Sequence, residues 1–90
     1  MKPSERQTLK AKAHNLKPVI LIGAKGLTQA VIDETEVALL AHELIKIKIN
    51  GQEKDARKET AASICDTLNA ELIQMIGNML IIYRKNILKN

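Results

Sequence analysis

The stretch VILIGAKGLT, residues 19–28, decides the fold, because a short apolar run, a glycine-flanked loop and a helix start follow one another directly. Residues 19–22 are apolar and mostly β-branched, which predicts a strand buried on both faces. The loop Gly23-Ala24-Lys25-Gly26 comes next, and Thr28 is a good N-cap for a helix that runs to about His42. The stretch therefore predicts a β-to-α unit of an α/β protein.

A polar, lysine-rich helix is predicted upstream of this unit. Ser4 followed by Gln7 resembles a capping box, which favours a helix start at that point. The helix is expected to run to about His14. The pair Lys17-Pro18 ends it, because proline pushes the preceding residue out of helical geometry.

Strands and helices continue to alternate downstream. Residues 44–49, LIKIKI, alternate with period two, so the isoleucines share one face of a strand and Lys46 and Lys48 share the other. A third helix is predicted over about residues 54–69. Two further strands follow at residues 71–76 and 79–84, and the two-residue loop Gly77-Asn78 is typical of a tight hairpin.

The element order, a helix and then βαβαββ, predicts a two-layer α/β fold with a four-stranded mixed sheet. Helical crossovers favour parallel pairing, and the last hairpin adds an antiparallel pair. Helices on one side of the sheet would satisfy this order and leave Lys46 and Lys48 on a face that is not fully covered. Residues 1–90 are expected to form one domain, with a frayed tail from about residue 85.

Composition excludes several classes of protein. The chain has 90 residues and a net charge of +4, and its only Phe, Trp or Tyr residue is a single tyrosine. It therefore cannot build the aromatic base-stacking platform of an RRM or OB-fold. It has no apolar run long enough to span a membrane and no signal-peptide core, and its one cysteine cannot form an internal disulfide. We expect a cytoplasmic protein without a membrane partner.

Positive charge is concentrated at the start of the chain. Residues 1–27 contain six basic side chains and one acidic one, whereas residues 28–53 contain two basic and five acidic ones. Such an asymmetry gives the molecule a preferred side for a polyanion. A solvated lysine-rich helix explains the charge equally well.

The loop Gly23-Ala24-Lys25-Gly26 is the leading candidate site. Its glycines allow positive φ and close approach of another backbone, the start of the next helix offers unpaired N–H groups, and Lys25 adds a positive charge. The loop matches neither a Walker motif nor a dinucleotide fingerprint. The G-x-x-G spacing clamps nucleotide backbone in KH domains, although a simple β-to-α turn would use glycines in the same way.

The predicted RNA-binding residues extend from this loop to the basic side chains around it. They are Gly23, Ala24, Lys25, Gly26, Thr28, Lys10, Lys12, His14, Lys17, Lys46 and Lys48. Cys65 is expected to be a core residue without a neighbouring base. No metal-ligand spacing or catalytic constellation is present, so we expect no enzyme activity, cofactor or small-molecule substrate.

The assembled motif resembles the CRM domain, named for chloroplast RNA splicing and ribosome maturation, in its stand-alone bacterial YhbY-like form. The matching residues are His14, Leu16 to Val19, Ile22 to Thr28, Val31, Ala38-Leu39, His42 to Lys48, Ile76-Gly77 and Leu80 to Arg84. Thr35 departs from the family pattern, which has a larger apolar residue there. The resemblance implies a four-stranded mixed sheet similar to the C-terminal domain of translation initiation factor three, and association with precursor large ribosomal subunits.

Two functions from different classes follow. The first is a monomeric RNA-binding protein that binds ribosomal RNA, or a precursor of the large ribosomal subunit, as an assembly factor. The alternative is a protein-interaction or translation-regulatory module whose basic face meets an acidic partner. Comparison of RNA with a generic polyanion in a salt titration separates them.

Overall fold

The computed structural model describes residues 1–86, and the elements follow one another in the predicted order. They are α1 (Pro3–Ala13), β1 (Ile20–Ile22), α2 (Gln29–His42), β2 (Leu44–Ile49), α3 (Lys54–Leu68), β3 (Glu71–Ile76) and β4 (Met79–Tyr83). The α/β class and the mixed four-stranded sheet are confirmed. Thr28 caps α2 as predicted, because its side chain accepts the N–H of Val31 at 3.2 Å.

The strand order is β1-β2-β4-β3. β1 and β2 are parallel as predicted, and β4 is antiparallel to both of its neighbours. A parallel β2–β3 neighbour pair, which the helical crossover favours, does not form, because β4 lies between these strands. β4 is paired on both edges, and Leu80, Ile81 and Ile82 are all buried, so both of its faces are covered. β3 carries Glu71 and Gln74 and occupies the edge.

One face of the sheet, here called the inner face, holds the main core. The period-two alternation places the isoleucines of β2 on this face, and they pack beneath α2 and α3 together with side chains from β1 and β4. These buried side chains are Ile20, Ile22, Ile45, Ile47, Ile49, Leu80 and Ile82, with Leu39 from α2 and Ala61, Ile64 and Leu68 from α3. Thr35 is also buried here, and its hydroxyl donates to the Val31 carbonyl at 2.7 Å.

The opposite, outer face is covered only in part, by α1. Ala13 of α1 packs against Ile73 and Ile81, and Leu44 and Tyr83 border this second cluster. The expectation that all helices lie on one side of the sheet is therefore wrong for α1. The physical reason is that the outward-facing Ile73 and Ile81 also need an apolar cover.

Two local predictions are also corrected. The capping box at Ser4 is wrong: α1 begins at Pro3 with Lys2 as N-cap, and no side chain caps it, since proline is favoured in the first helical turn. The β1 strand is not buried on both faces, because Leu21 is 59% exposed on the outer face. β1 is an edge strand, and α1 packs on β2 and β3 instead.

Long-range hydrogen bonds close the end of the sheet where β2 begins and β4 ends. The side chain of Arg84 forms a bidentate ion pair with Glu36 of α2 and donates to the carbonyl of Leu68 at the end of α3. The side chain of Asn86 donates to the last carbonyls of α2, at Leu39 and Leu40. The rest of the tail for which fraying is predicted, residues 87–90, lies outside the described residues.

Candidate nucleic-acid interface

The segment from Gly23 to Gly26 forms a four-residue turn at the end of β1. The N–H of Gly26 donates to the carbonyl of Gly23 at 3.0 Å. Gly26 has a φ of +75°, so this position needs glycine for the backbone conformation itself. Gly23 does not have positive φ, and a Cβ added there would have no heavy atom within 4 Å. The two glycines therefore differ: Gly26 shapes the turn, and Gly23 leaves open space beside it.

A second loop, which follows β2, supports this turn. Gly51 has a φ of +72°, and a Cβ at Gly51 would lie 3.0 Å from the Cβ of Ala24. The side-chain amide of Gln52 donates to the Gly23 carbonyl at 3.0 Å and accepts from the Thr60 hydroxyl at 2.7 Å. Gln52 thus links the turn to α3, and Gly51 allows the two loops to approach closely. Neither residue is among the site residues predicted from the sequence.

Exposed cationic and N–H groups lie together at this turn. Lys25 and Thr28 are both exposed. Thr28 uses its hydroxyl on the N–H of Val31, whereas the N–H groups of Gln29 and Ala30 at the start of α2 have no intrahelical acceptor. The turn and the helix start therefore combine a lysine with backbone donors, which is the arrangement that binds phosphate.

The other predicted residues lie on the outer face, on α1 and in the segment that follows α1. Lys48 is the cross-strand neighbour of Leu21 and Met79, and Lys46 is that of Ile81, so both lysines share the outer face. Lys10 of α1, the C-cap residue His14 and Lys46 line one cavity of about 270 Å³ beside Ile76 and Met79. The structure thus brings these basic side chains together on one face of the sheet.

Lys12 and Lys17 meet Lys46 at a second cavity on the outer face. This cavity has a volume of about 530 Å³ and lies between α1, the segment before β1 and the beginning of β2. Lys46 therefore joins the two groups of basic side chains. Lys25 and Thr28 lie at the opposite end of the sheet, beyond the last residue of β1, and Lys48 lies between them and Lys46.

Lys54 and Lys58 are further basic candidates that sequence reasoning did not include. Both line a small cavity of about 140 Å³ beside Gly77, at the same end of the sheet as the Gly23–Gly26 turn. A lysine in the first turn of a helix opposes the helix dipole, so Lys54 gains no stability from its position. A lysine at the predicted start of a helix is therefore the feature of the sequence that could have marked Lys54 as a binding candidate.

Cys65 does not join this interface. It is half-buried on α3 and packs against the main core, as expected. Burial, with a contribution from the negative charge of Glu71, raises the pKa of the thiol to about 11. The thiol is therefore protonated at neutral pH and is a poor nucleophile.

We expect Cys65 to react slowly with iodoacetamide in the folded protein. At pH 8, alkylation should be more than about tenfold slower than in the urea-unfolded chain, where the thiol has an ordinary pKa. Mass spectrometry of timed aliquots measures both rates. Equal rates would show that the thiol is exposed and reactive.

Metal-binding and membrane-spanning signatures are both absent from residues 1–86. No group of three or more His, Cys, Asp or Glu side chains there is placed to hold a metal ion. No helix in that part of the chain combines the length and apolar character required to cross a bilayer.

Comparison with known proteins agrees with the fold. The family model of the CRS1/YhbY (CRM) domain matches residues 1–84. A Pseudomonas aeruginosa protein named "Probable RNA-binding protein" is 40% identical over 82 residues, covering 91% of this chain and 79% of that protein. A Haemophilus influenzae protein named "RNA-binding protein" is 40% identical over 80 residues, covering 89% of this chain and 81% of that protein.

A solved structure is also similar. The solution structure of a Staphylococcus aureus protein superimposes with a TM-score of 0.84 at 31% identity, covering 96% of this chain and 90% of that one. The name of that protein presents RNA binding as a hypothesis. The similarity extends over nearly the whole chain, the turn and the outer face included.

Proposed function

The chain belongs to the CRS1/YhbY (CRM) domain family, and from this premise we propose that it binds RNA through the Gly23–Gly26 turn and the basic outer face. The observation that carries the proposal is the construction of the turn. Gly23 leaves open space, Gly51 and Gln52 hold the turn in place, and Lys25 and the start of α2 present cationic and N–H groups. Two relatives are named as RNA-binding proteins, which supports the proposal.

The chemistry suits a phosphate backbone. An RNA phosphate at the turn would accept from the N–H groups at the start of α2, with Lys25 as counter-ion. Lys48 and Lys46 continue the positive charge along β2 on the outer face. Contacts of this kind fix position and supply salt-dependent affinity without reading sequence.

We further propose that the RNA is ribosomal and that the protein acts in the cytoplasm on precursors of the large ribosomal subunit, as an assembly factor. The family resemblance of the residues around the turn supports this choice. Crosslinking in cells followed by sequencing of the attached RNA tests it. We expect enrichment of large-subunit ribosomal RNA, and crosslinks spread in proportion to RNA abundance would contradict the proposal.

A salt titration distinguishes RNA binding from docking onto an acidic protein. Affinity for a structured RNA should fall steeply as salt rises, with a log–log slope set by the number of phosphates contacted. Heparin serves as a polyanion without RNA geometry. If heparin and a polyglutamate peptide bind as tightly as RNA at each salt concentration, the basic face recognises charge alone, and a protein partner becomes the better explanation.

Lys25→Ala should weaken binding of all RNA sequences by a similar factor and lower the salt slope by about one, because one phosphate contact is lost. The exposed position of Lys25 predicts unchanged thermal unfolding. Lys2→Ala removes the same charge at the start of α1 and is the matched control, with affinity expected within about twofold of wild type. Fluorescence anisotropy at several salt concentrations measures both variants. An unchanged slope in Lys25→Ala would remove the lysine from the interface.

A further inference from the structure

The cavity of about 530 Å³ on the outer face differs in character from the phosphate-binding turn. Its walls include Leu9 and Leu16, and Tyr83 lines it where β4 ends. Leu16 is 37% exposed, so an apolar surface is open to solvent there. A volume of this size lies within the range of small-ligand pockets, roughly 300 to 1000 Å³.

The rim of the cavity is cationic. Lys12, Lys17 and Lys46 line it, and Glu43 is the only acid among its described lining residues. The carboxylate of Glu43 already accepts the backbone N–H of Asn86 at 2.8 Å. A ligand that fits this cavity would place a planar or apolar group against the apolar walls and a negatively charged group against the lysines of the rim.

The cavity is continuous with the proposed RNA-binding face. Lys46 lines it, and Lys48 lies two residues further along β2 on the same face. The six residues of β2, from the cavity to the turn, span roughly 16 Å at about 3.3 Å per residue. Roughly five stacked nucleotides, at about 3.4 Å each, would span the same distance.

We propose that this cavity receives an unpaired nucleobase of the bound RNA, with the flanking phosphates on Lys12, Lys17 and Lys46. The inference rests on the proposed RNA-binding function and adds the class of RNA: a strand with at least one base free to leave its stack, as in a loop or bulge. The base lies against Tyr83 and the leucines. Its π-face needs one aromatic partner, which the sole tyrosine supplies.

The composition of the chain provides a direct probe, because Tyr83 is its only tyrosine and it has no tryptophan. Intrinsic fluorescence therefore reports on this cavity alone, and a base stacked on the phenol ring quenches it. The wild-type protein is titrated with an oligouridylate of about ten nucleotides. Anisotropy of the labelled oligonucleotide measures binding in parallel. Inorganic polyphosphate provides phosphates without bases.

We expect oligouridylate to quench Tyr83 with the same midpoint as the anisotropy change, whereas polyphosphate binds without quenching. Binding of RNA without quenching would overturn the cavity proposal and leave RNA binding intact. Failure of any RNA to bind would overturn both. Equal quenching by polyphosphate or by polyglutamate would show that the cavity responds to charge and not to a base, which also overturns it.

A substitution provides a second readout. Tyr83→Leu keeps an apolar side chain and removes the ring, so affinity for oligouridylate should fall about tenfold while affinity for polyphosphate is unchanged. Val37→Ala truncates an exposed apolar side chain of α2 outside the cavity and is the control. Unchanged oligouridylate affinity in a Tyr83→Leu protein with normal thermal unfolding would contradict the proposal.

Discussion

Replacing Arg84 with methionine is expected to lower the free energy of unfolding by about 1 to 3 kcal/mol, because one side chain holds three elements together. Its two terminal nitrogens donate to the two carboxylate oxygens of Glu36, each at 2.8 Å, and one of them also donates to the Leu68 carbonyl at 3.0 Å. Methionine preserves most of the apolar stem. The loss therefore reports the polar contacts.

Partial exposure sets the upper limit of this effect. The side chain of Arg84 is 19% exposed and that of Glu36 is 40% exposed, so water can solvate the carboxylate once the arginine is gone. Glu36→Gln should therefore cost less than Arg84→Met, since the Leu68 carbonyl keeps its donor. Urea unfolding of both variants gives the comparison. An equal or larger loss in Glu36→Gln would mean that the ion pair, and not the bond to Leu68, dominates.

The same ion pair makes stability depend on pH. The hydrogen bond from Arg84 lowers the pKa of Glu36 in the folded protein. A depressed folded-state pKa contributes stability above the unfolded value of about 4.3, and that contribution is lost as the pH falls through the folded value. In Arg84→Met the pKa of Glu36 should return toward its ordinary value. The difference in stability between wild type and variant should therefore narrow at low pH, to the part that the bond to the Leu68 carbonyl contributes.

Local patterns were sufficient for most of the fold. The LIKIKI alternation placed the isoleucines of β2 inward, and the Gly77-Asn78 loop placed the final hairpin, because both signals are short-range. The central position of β4 and the placement of α1 on the outer face depend on which apolar surfaces of distant segments become buried against one another. No periodicity within one segment contains that information.

The candidate site divides in the same way. The turn from Gly23 to Gly26 could be identified because its glycines are adjacent to a strand and a helix cap in sequence. Its support could not, since the bond from Gln52 to the Gly23 carbonyl joins residues 29 positions apart. The different roles of the two glycines were also hidden, because φ at each position is a property of the folded turn.

That difference identifies Gly23 as the position where RNA binding can be tested apart from folding. At Gly26, a φ of +75° means that any side chain strains the turn, so a loss of binding there has two explanations. At Gly23, an added Cβ would have no heavy atom within 4 Å. Gly23→Asp should therefore fold normally and place a carboxylate where a phosphate approaches the turn.

Gly23→Asp is expected to weaken RNA binding by between about fivefold and several hundredfold. Two like charges about 4 Å apart repel by about 1 kcal/mol in bulk water and about 4 kcal/mol near a protein surface, and the water left at the contact decides between these values. Ala62→Asp adds the same charge at an exposed position of α3 and controls for net charge. Gly23→Ala controls for the Cβ and should bind within about threefold of wild type, since open space surrounds it.

Anisotropy titrations at one salt concentration compare the three variants after thermal unfolding has shown each to be folded. If Gly23→Asp binds RNA no more weakly than Ala62→Asp, phosphate does not approach the turn, and the interface must lie on the lysines of α1 and β2 alone.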